Sequence, residues 1–213
     1  MDIRTKEAVR YLGYGRHAID DRTFEMIQDS FRELESSSDA RFVYRIFEIS
    51  GRKQDCLKIG TMPIKSQNLY KNLKDCNRAI LFAATLGLQV DRAIKTYTVT
   101  DVSRAVVMQA CAAAMLEEFC DLKVEEISCE LREGLYLRPR YSPGYGDFPI
   151  THQREILEML DASKRIGLTL TQANMLVPMK SVTAVIGISE KNESCHKRGC
   201  ELCAKTECIY RRS

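Results

Sequence analysis

No apolar run in this chain reaches the length of a membrane-spanning helix. Its start, Met1-Asp-Ile-Arg-Thr-Lys6, lacks the apolar core of a secretory signal, so the expectation is a cytoplasmic protein. Charge of one sign is nearly balanced by the other, leaving a net +3. No basic stripe interleaves with aromatics, so nucleic acid is not expected as a partner. Long-period repeats and low-complexity linkers are absent. Histidine is scarce, with three in the chain. Neither His17, His152 nor the thiol of Cys111 has a recognisable catalytic setting, so no general base or protein nucleophile stands out.

What is there fits an ordinary globular protein. The chain has 213 residues, 45% hydrophobic and 29% charged, enough for one domain with a small appendage. Nine cysteines without an export signal point to a reducing compartment, where they serve as thiols, metal ligands or redox groups rather than structural disulfides.

Helices are expected over 4–12 and 19–35. In the second, Phe24, Ile27, Phe31 and Leu34 recur at helical spacing, and Asp20-Asp21 sits where a cap would. Phe42 to Ile49, rich in β-branched and aromatic residues, reads as a strand with Leu57–Ile59 as its hairpin partner. Ser66 suits the cap of a helix from Gln67 to Leu73. Arg78 to Thr85 is a continuous apolar run that suits a central strand. The turn after it, Thr85-Leu-Gly87, would put backbone N–H groups near a ligand or simply start a helix.

A helix is expected near Asp91, interrupted over Thr96 to Thr100, and a longer one from Asp101 to Asp121. In the longer one Val102, Ala105, Gln109, Ala112, Leu116 and Phe119 share a face. Glu117 lies at the edge of that face and Glu118 turns toward water. An acid in the position of Glu117 needs a salt-bridge partner or a ligand. Glu155 to Arg165 reads as one short amphipathic helix closed by Gly167. Strands are expected at Leu168–Leu170 and at Ser181–Ile188, the latter beside the Arg78 strand.

Between these elements lies Arg138-Pro-Arg-Tyr-Ser-Pro-Gly-Tyr-Gly-Asp-Phe-Pro149, with three prolines and two glycines in twelve residues. Neither a regular helix nor a central strand tolerates that composition, so a stiff, ordered loop is expected. Its backbone admits close approach at Gly144 and Gly146. Arg140 offers a planar fork for a carboxylate or phosphate, and Tyr145 offers a flat face and a hydroxyl. A proline-rich connector is the plainer alternative.

After Ile188 the chain becomes polar and carries Cys195-x4-Cys200-x2-Cys203-x4-Cys208. Four thiolates this close suit a soft metal. The first three share a spacing with plant-type ferredoxins, although the fourth comes too soon for them. Three readings stand: an iron–sulfur cluster, a structural zinc site, or unmetallated thiols.

Three blocks together resemble one family. Arg140-x-x-x-Gly144-Tyr145, preceded by Pro143, is similar to the S-adenosylmethionine-binding loop of the activation domain of cobalamin-dependent methionine synthase. Ile166-Gly-Leu-Thr-Leu-Thr-Gln-Ala-Asn-Met-Leu-Val-Pro-Met-Lys-Ser-Val-Thr183 is similar to the segment that closes that domain. Gln109-Ala to Glu117-Glu-Phe119 is similar to the helix ahead of the loop. Order and spacing agree over residues 100–189.

The resemblance implies an α+β fold over residues 1–189, a single C-shaped domain with an antiparallel-rich sheet flanked by helices. Residues 190–213 would form a Cys-rich metal-binding tail, which the family domain lacks. The implied function is reactivation: S-adenosylmethionine is presented to cob(II)alamin, which takes up an electron and the methyl group. Cobalamin would sit on a partner, a methionine synthase or another corrinoid protein, with this chain acting as a free-standing factor. Arg140, Gly144 and Tyr145 match family ligand-binding positions, Glu117 matches the helix glutamate, and Glu133 or Glu130 an acid ahead of the loop. An iron–sulfur cluster in the tail would supply the electron. A non-catalytic, zinc-stabilised adaptor on a corrinoid protein, and a small zinc-containing regulatory protein, are the alternatives.

Overall fold

A computed structural model describes residues 2–14 and 19–191. In chain order its elements are α1 (Ile3–Tyr11), α2 (Asp21–Ser37), β1 (Arg41–Lys53), β2 (Cys56–Ile59), β3 (Met62–Lys65), α3 (Gln67–Asn72), β4 (Cys76–Thr85), α4 (Leu88–Thr100) and α5 (Val102–Glu130). They continue as β5 (Tyr136–Leu137), α6 (His152–Leu160), α7 (Ala162–Ile166), β6 (Thr169–Leu170), β7 (Leu176–Val177) and β8 (Ser181–Ser189). This is the expected α+β class. The described residues divide into two compact units, one of 2–40 and 86–122, the other of 41–85 and 123–191.

The first unit is helical. Asp2 caps α1 by accepting from the Thr5 amide at 2.8 Å, and Asp20 caps α2 by accepting from the Thr23 amide at 2.6 Å. Ile27, Phe31 and Leu34 are buried as their spacing requires, whereas Phe24 at the helix start is exposed. The Arg4 guanidinium lies 4.4 Å over the Phe31 ring and pairs with Glu35 at 2.6 Å. From α5, Ala105, Met108, Cys111, Ala112 and Met115 are buried, but Val102 is 67% exposed, so the predicted apolar face begins one turn later.

Two helices outrun their sequence boundaries. Helix α4 starts at Leu88 and continues without a break through Thr96–Thr100. The threonine hydroxyls turn back onto the helix: Thr96 donates to the Arg92 carbonyl at 3.1 Å and Thr100 to the Thr96 carbonyl at 3.1 Å. A β-branched run that satisfies its own hydroxyls this way costs the helix little. Helix α5 runs nine residues past Asp121, to Glu130. No glycine or proline intervenes, Lys123 pairs with Glu126 at 2.7 Å, and Ile127 is buried.

The second unit is built on a six-stranded sheet in the order β3-β2-β1-β4-β8-β5, every neighbouring pair antiparallel. β4 is central, with Ile80 opposite Ile46 on one side and Ile186 on the other. Its residues Ala79 to Ala84 are fully buried, which explains the unbroken apolar run. β1 and β2 form the expected hairpin, and β8 lies beside β4 as expected. On the outer strand β3, Pro63 stands opposite Lys58, and the other edge, β5, is two residues long.

One core cluster joins the sheet residues Leu57, Ile59, Leu81 and Val185 to Leu69 of α3, Ile156 of α6 and Ile166 of α7. The expected single helix over Glu155–Arg165 is two helices, α6 and α7. Asp161 between them adopts a left-handed conformation, φ 57°, which an aspartate tolerates. The kink lets Leu160 and Ala162 both reach the core. Gly167 closes α7 at φ 68°, as expected. Among the described residues β6 pairs only with β7, in a separate two-stranded sheet.

Candidate ligand-binding site

The proline- and glycine-rich segment begins as a poor strand. After β5, the Arg138 amide donates to the Gly187 carbonyl at 2.8 Å. Pro139 has no donor, and pairing resumes only at Tyr141, which exchanges two 2.9 Å bonds with Val185. Arg138 is 5% exposed and its Nη2 reaches the Ser189 hydroxyl at 3.4 Å. Sequence reasoning left this second arginine of the loop without a role; it belongs to the interior.

The segment then turns sharply. Gly144 has φ 93°, its amide donating to the Phe148 carbonyl at 2.8 Å, while the Phe148 amide donates to the Tyr145 carbonyl at 3.0 Å. Phe148 is buried, 6.3 Å from the Tyr141 ring and 5.3 Å from the His152 ring. Truncating such a side chain costs about 3–5 kcal/mol, so Phe148 pins the turn to the core.

A second pin is polar. The Asp147 carboxylate accepts from the Ser66 hydroxyl at 2.6 Å, the Gln67 amide at 2.7 Å and the Asn68 amide at 3.1 Å. Ser66 in turn accepts from the Leu69 amide at 3.0 Å, the predicted cap of α3. The Ser66 hydroxyl, with those α3 amides, holds the Asp147 carboxyl below the usual carboxylate range. A β-carbon on Gly146 would collide with the Asn68 amide and the Tyr141 hydroxyl, so that glycine makes room for the protein's own side chains. At Gly144 the corresponding contact is Ile150 Cδ1 at 3.0 Å.

Tyr145 is 69% exposed, an unusual place for a tyrosine held on so ordered a backbone. Arg140 is half-buried. A guanidinium, a phenol and the backbone of a glycine turn thus share one stretch of six residues, a donor set chemically suited to a carboxylate joined to a planar or apolar body.

The family model for the activation domain of vitamin B12-dependent methionine synthase matches residues 71–196. The chain belongs to that family. Among solved structures, a MetH reactivation domain bound to AdoHcy is similar, with a TM-score of 0.62 and 18% identity over 86% of this chain and 75% of that one. At that identity the likeness is one of fold. No curated protein sequence matches.

Within this activation-domain fold the remaining candidates fall in different places. Glu133 is exposed in the turn before β5, where the Leu135 amide donates to the Arg132 carbonyl at 3.2 Å. Glu130, at the end of α5, accepts from the Tyr44 hydroxyl at 2.8 Å, a bond that raises the Tyr44 pKa. Glu117 is half-buried on α5 in the helical unit, and Glu118 is exposed, 3.6 Å from Arg4. The periodicity placed these two acids correctly.

The turn at Leu86-Gly87 is filled by the chain itself. The Asp39 amide donates to the Leu86 carbonyl at 3.0 Å, and a β-carbon on Gly87 would stand 3.1 Å from the Asp39 carbonyl oxygen. Its glycine starts α4 rather than cradling a ligand. A recess of about 300 Å³ opens at the other end of the sheet, between Arg78, Ile188 and Leu135, and includes neither Arg140 nor Tyr145. His152 pairs with Glu155 and stacks on Phe148, a packing role.

The cysteines at 195, 200, 203 and 208, and His17, lie outside the described residues. Among the described residues no group of three or more His, Cys, Asp or Glu side chains is arranged to hold a metal, and no helix is long and apolar enough to cross a membrane. Asp147 and Tyr141 are the residues that sequence reasoning missed. The signal available was a single aspartate inside a loop of fixed shape, which does not reveal a helix cap 81 residues away.

Proposed function

We propose that this chain binds S-adenosylmethionine and supports the reductive methylation of cob(II)alamin held by a corrinoid partner, a methionine synthase or a related methyltransferase. S-adenosylmethionine supplies the methyl group and cobalamin the metal that receives it with one electron. The chain's residues bind and orient. Arg140 pairs with the amino-acid carboxylate through its two-pronged donor face. The backbone at Gly144 and the ring of Tyr145 line the ligand. Glu133 carries negative charge that offsets the ammonium or sulfonium. The outward-facing phenol leaves the ligand accessible to a partner that closes over it and excludes water.

Membership in the activation-domain family, joined to an anchored loop that exposes Tyr145 and carries Arg140 five residues ahead of it, is the observation that carries this reading. On this reading residues 1–189 are the activation-like region, and residues 190–213 carry the four cysteines. Their spacing supports a metal centre there, and an iron–sulfur cluster would provide the electron. The deciding experiment is anaerobic calorimetry with S-adenosylmethionine on the unsubstituted protein and on Arg140→Ala. Saturable heat that Arg140→Ala abolishes supports the reading. No heat from either protein favours the non-catalytic adaptor instead.

A further inference from the structure

We infer that Asp147 is a positioning residue for the ligand-binding loop, holding Arg140 and Tyr145 in place by capping the start of α3. This inference rests on the proposed function, because it concerns the same loop. Asp147 follows Tyr145 by two residues, yet its carboxylate faces away from the exposed tip and onto the start of α3. There it takes three donors at 2.6, 2.7 and 3.1 Å, from Ser66, Gln67 and Asn68.

Two of those donors, the Gln67 and Asn68 amides, have no partner within the helix. The first amides of a helix have no partner within it. Ser66 satisfies one, at Leu69, and Asp147 satisfies two more. The Ser66 hydroxyl donates to Asp147 while accepting from Leu69, so loop and helix share one hydrogen-bonded chain. Around it, the Tyr141 hydroxyl donates to the Tyr145 carbonyl at 3.3 Å, and Gly146 lies against Asn68.

The upstream end of the loop is held separately, by the Tyr141–Val185 pair. Arg140 and Tyr145 therefore stand next to, or between, two fixed points. Loss of Asp147 removes the polar half of the downstream anchor and leaves buried Phe148 as its apolar half. The sheet and the upstream pairing stay in place, so the protein should remain folded while its ligand geometry relaxes.

The test compares Asp147→Ala, Asp147→Asn and Ser66→Ala with a core control, Ile80→Val, on the full chain. S-adenosylmethionine affinity is read by calorimetry well below each melting temperature. Exchange of the Gly144 and Phe148 amides is read without ligand. Asp147→Ala should weaken binding on the order of tenfold and speed exchange at both amides. Asp147→Asn keeps one acceptor oxygen and should recover part of each. Ser66→Ala should fall in the same direction, and Ile80→Val should lower the melting temperature without changing either readout. Binding within twofold of the unsubstituted protein in Asp147→Ala, or unchanged protection at Gly144 and Phe148, overturns the inference. If the unsubstituted protein binds no S-adenosylmethionine, the proposed function fails, and the exchange comparison alone decides whether Asp147 holds the loop. Should Asp147→Ala not fold, Ser66→Ala gives the same two readouts.

Discussion

A β-carbon added to Gly187 would stand 2.7 Å from the sulfur of Cys76. The two residues lie on adjacent strands, and Leu73 Cδ2 and Arg138 Cγ close the same space at 2.8 and 3.1 Å. Substituting Gly187→Ala should therefore overpack the sheet next to the start of the proline- and glycine-rich loop, lowering stability by about 1–3 kcal/mol. Cys76→Ala in the same chain should restore part of that loss, giving a non-zero coupling in a denaturant double-mutant cycle. Additive effects would show that the strand relaxes instead.

Tyr145 separates binding from folding. Its side chain is 69% exposed, so Tyr145→Ala should change stability by no more than about 0.5 kcal/mol. Affinity for S-adenosylmethionine should fall roughly tenfold with the loss of a stacking face. Denaturant unfolding and calorimetry on one preparation check both. A large stability loss with affinity intact would make Tyr145 a structural residue.

Asp147 sets an acid limit on the loop. The Ser66 hydroxyl and the α3 amides depress its pKa, so the folded state binds the proton less readily than the unfolded chain. Its contribution is complete above the unfolded value of about 3.9 and fades as pH falls through the lower folded value. Protection of the Gly144 and Phe148 amides should hold at neutral pH and drop in that acid window. In Asp147→Asn the drop attributable to this group should vanish.

Cys111 gives the opposite sign. Burial in the helical unit pushes its thiol up to about 12, from an ordinary value of 9.0. The folded state then holds a proton that the unfolded chain releases, so stability is full below pH 9 and declines as pH climbs toward 12. Near neutrality the group is almost wholly thiol and enclosed. A maleimide should label exposed Cys129 in the native protein and spare Cys111 and Cys120, both buried. Peptide mass mapping reads this directly, and rapid native labelling at Cys111 would contradict its packing.

The cysteines at 195, 200, 203 and 208 offer a compositional test. Anaerobically purified protein should contain iron with charge-transfer absorbance if the segment donates the electron, or stoichiometric zinc if it is structural. Replacing all four with serine should remove the metal. Preparations free of both metals leave these cysteines as thiols and exclude a cluster as electron source.

Much of the fold was legible because its signals are local. The unbroken run from Arg78 to Thr85 could hardly be anything but a central strand, and Asp20 and Ser66 announced their helices. Where the reading went astray, a side chain met its needs in a way composition does not display. The threonines of α4 bond to their own helix, Asp161 accepts a left-handed turn, and α5 continues because nothing stops it. At the candidate site the same division holds. Arg140, Gly144 and Tyr145 stood out as residue types at fixed spacing. The grip of Asp147 on Ser66 and the interior placement of Arg138 depend on which distant segments the fold brings alongside, and spacing carries no trace of that.

Pro63 bears on how the molecule behaves in company. It removes a backbone donor from the strand at one border of the sheet, and the opposite border offers a ladder of just two residues. A stray strand from another copy finds little to zip onto at either border. Crowded samples of this protein should resist fibrous, edge-to-edge growth.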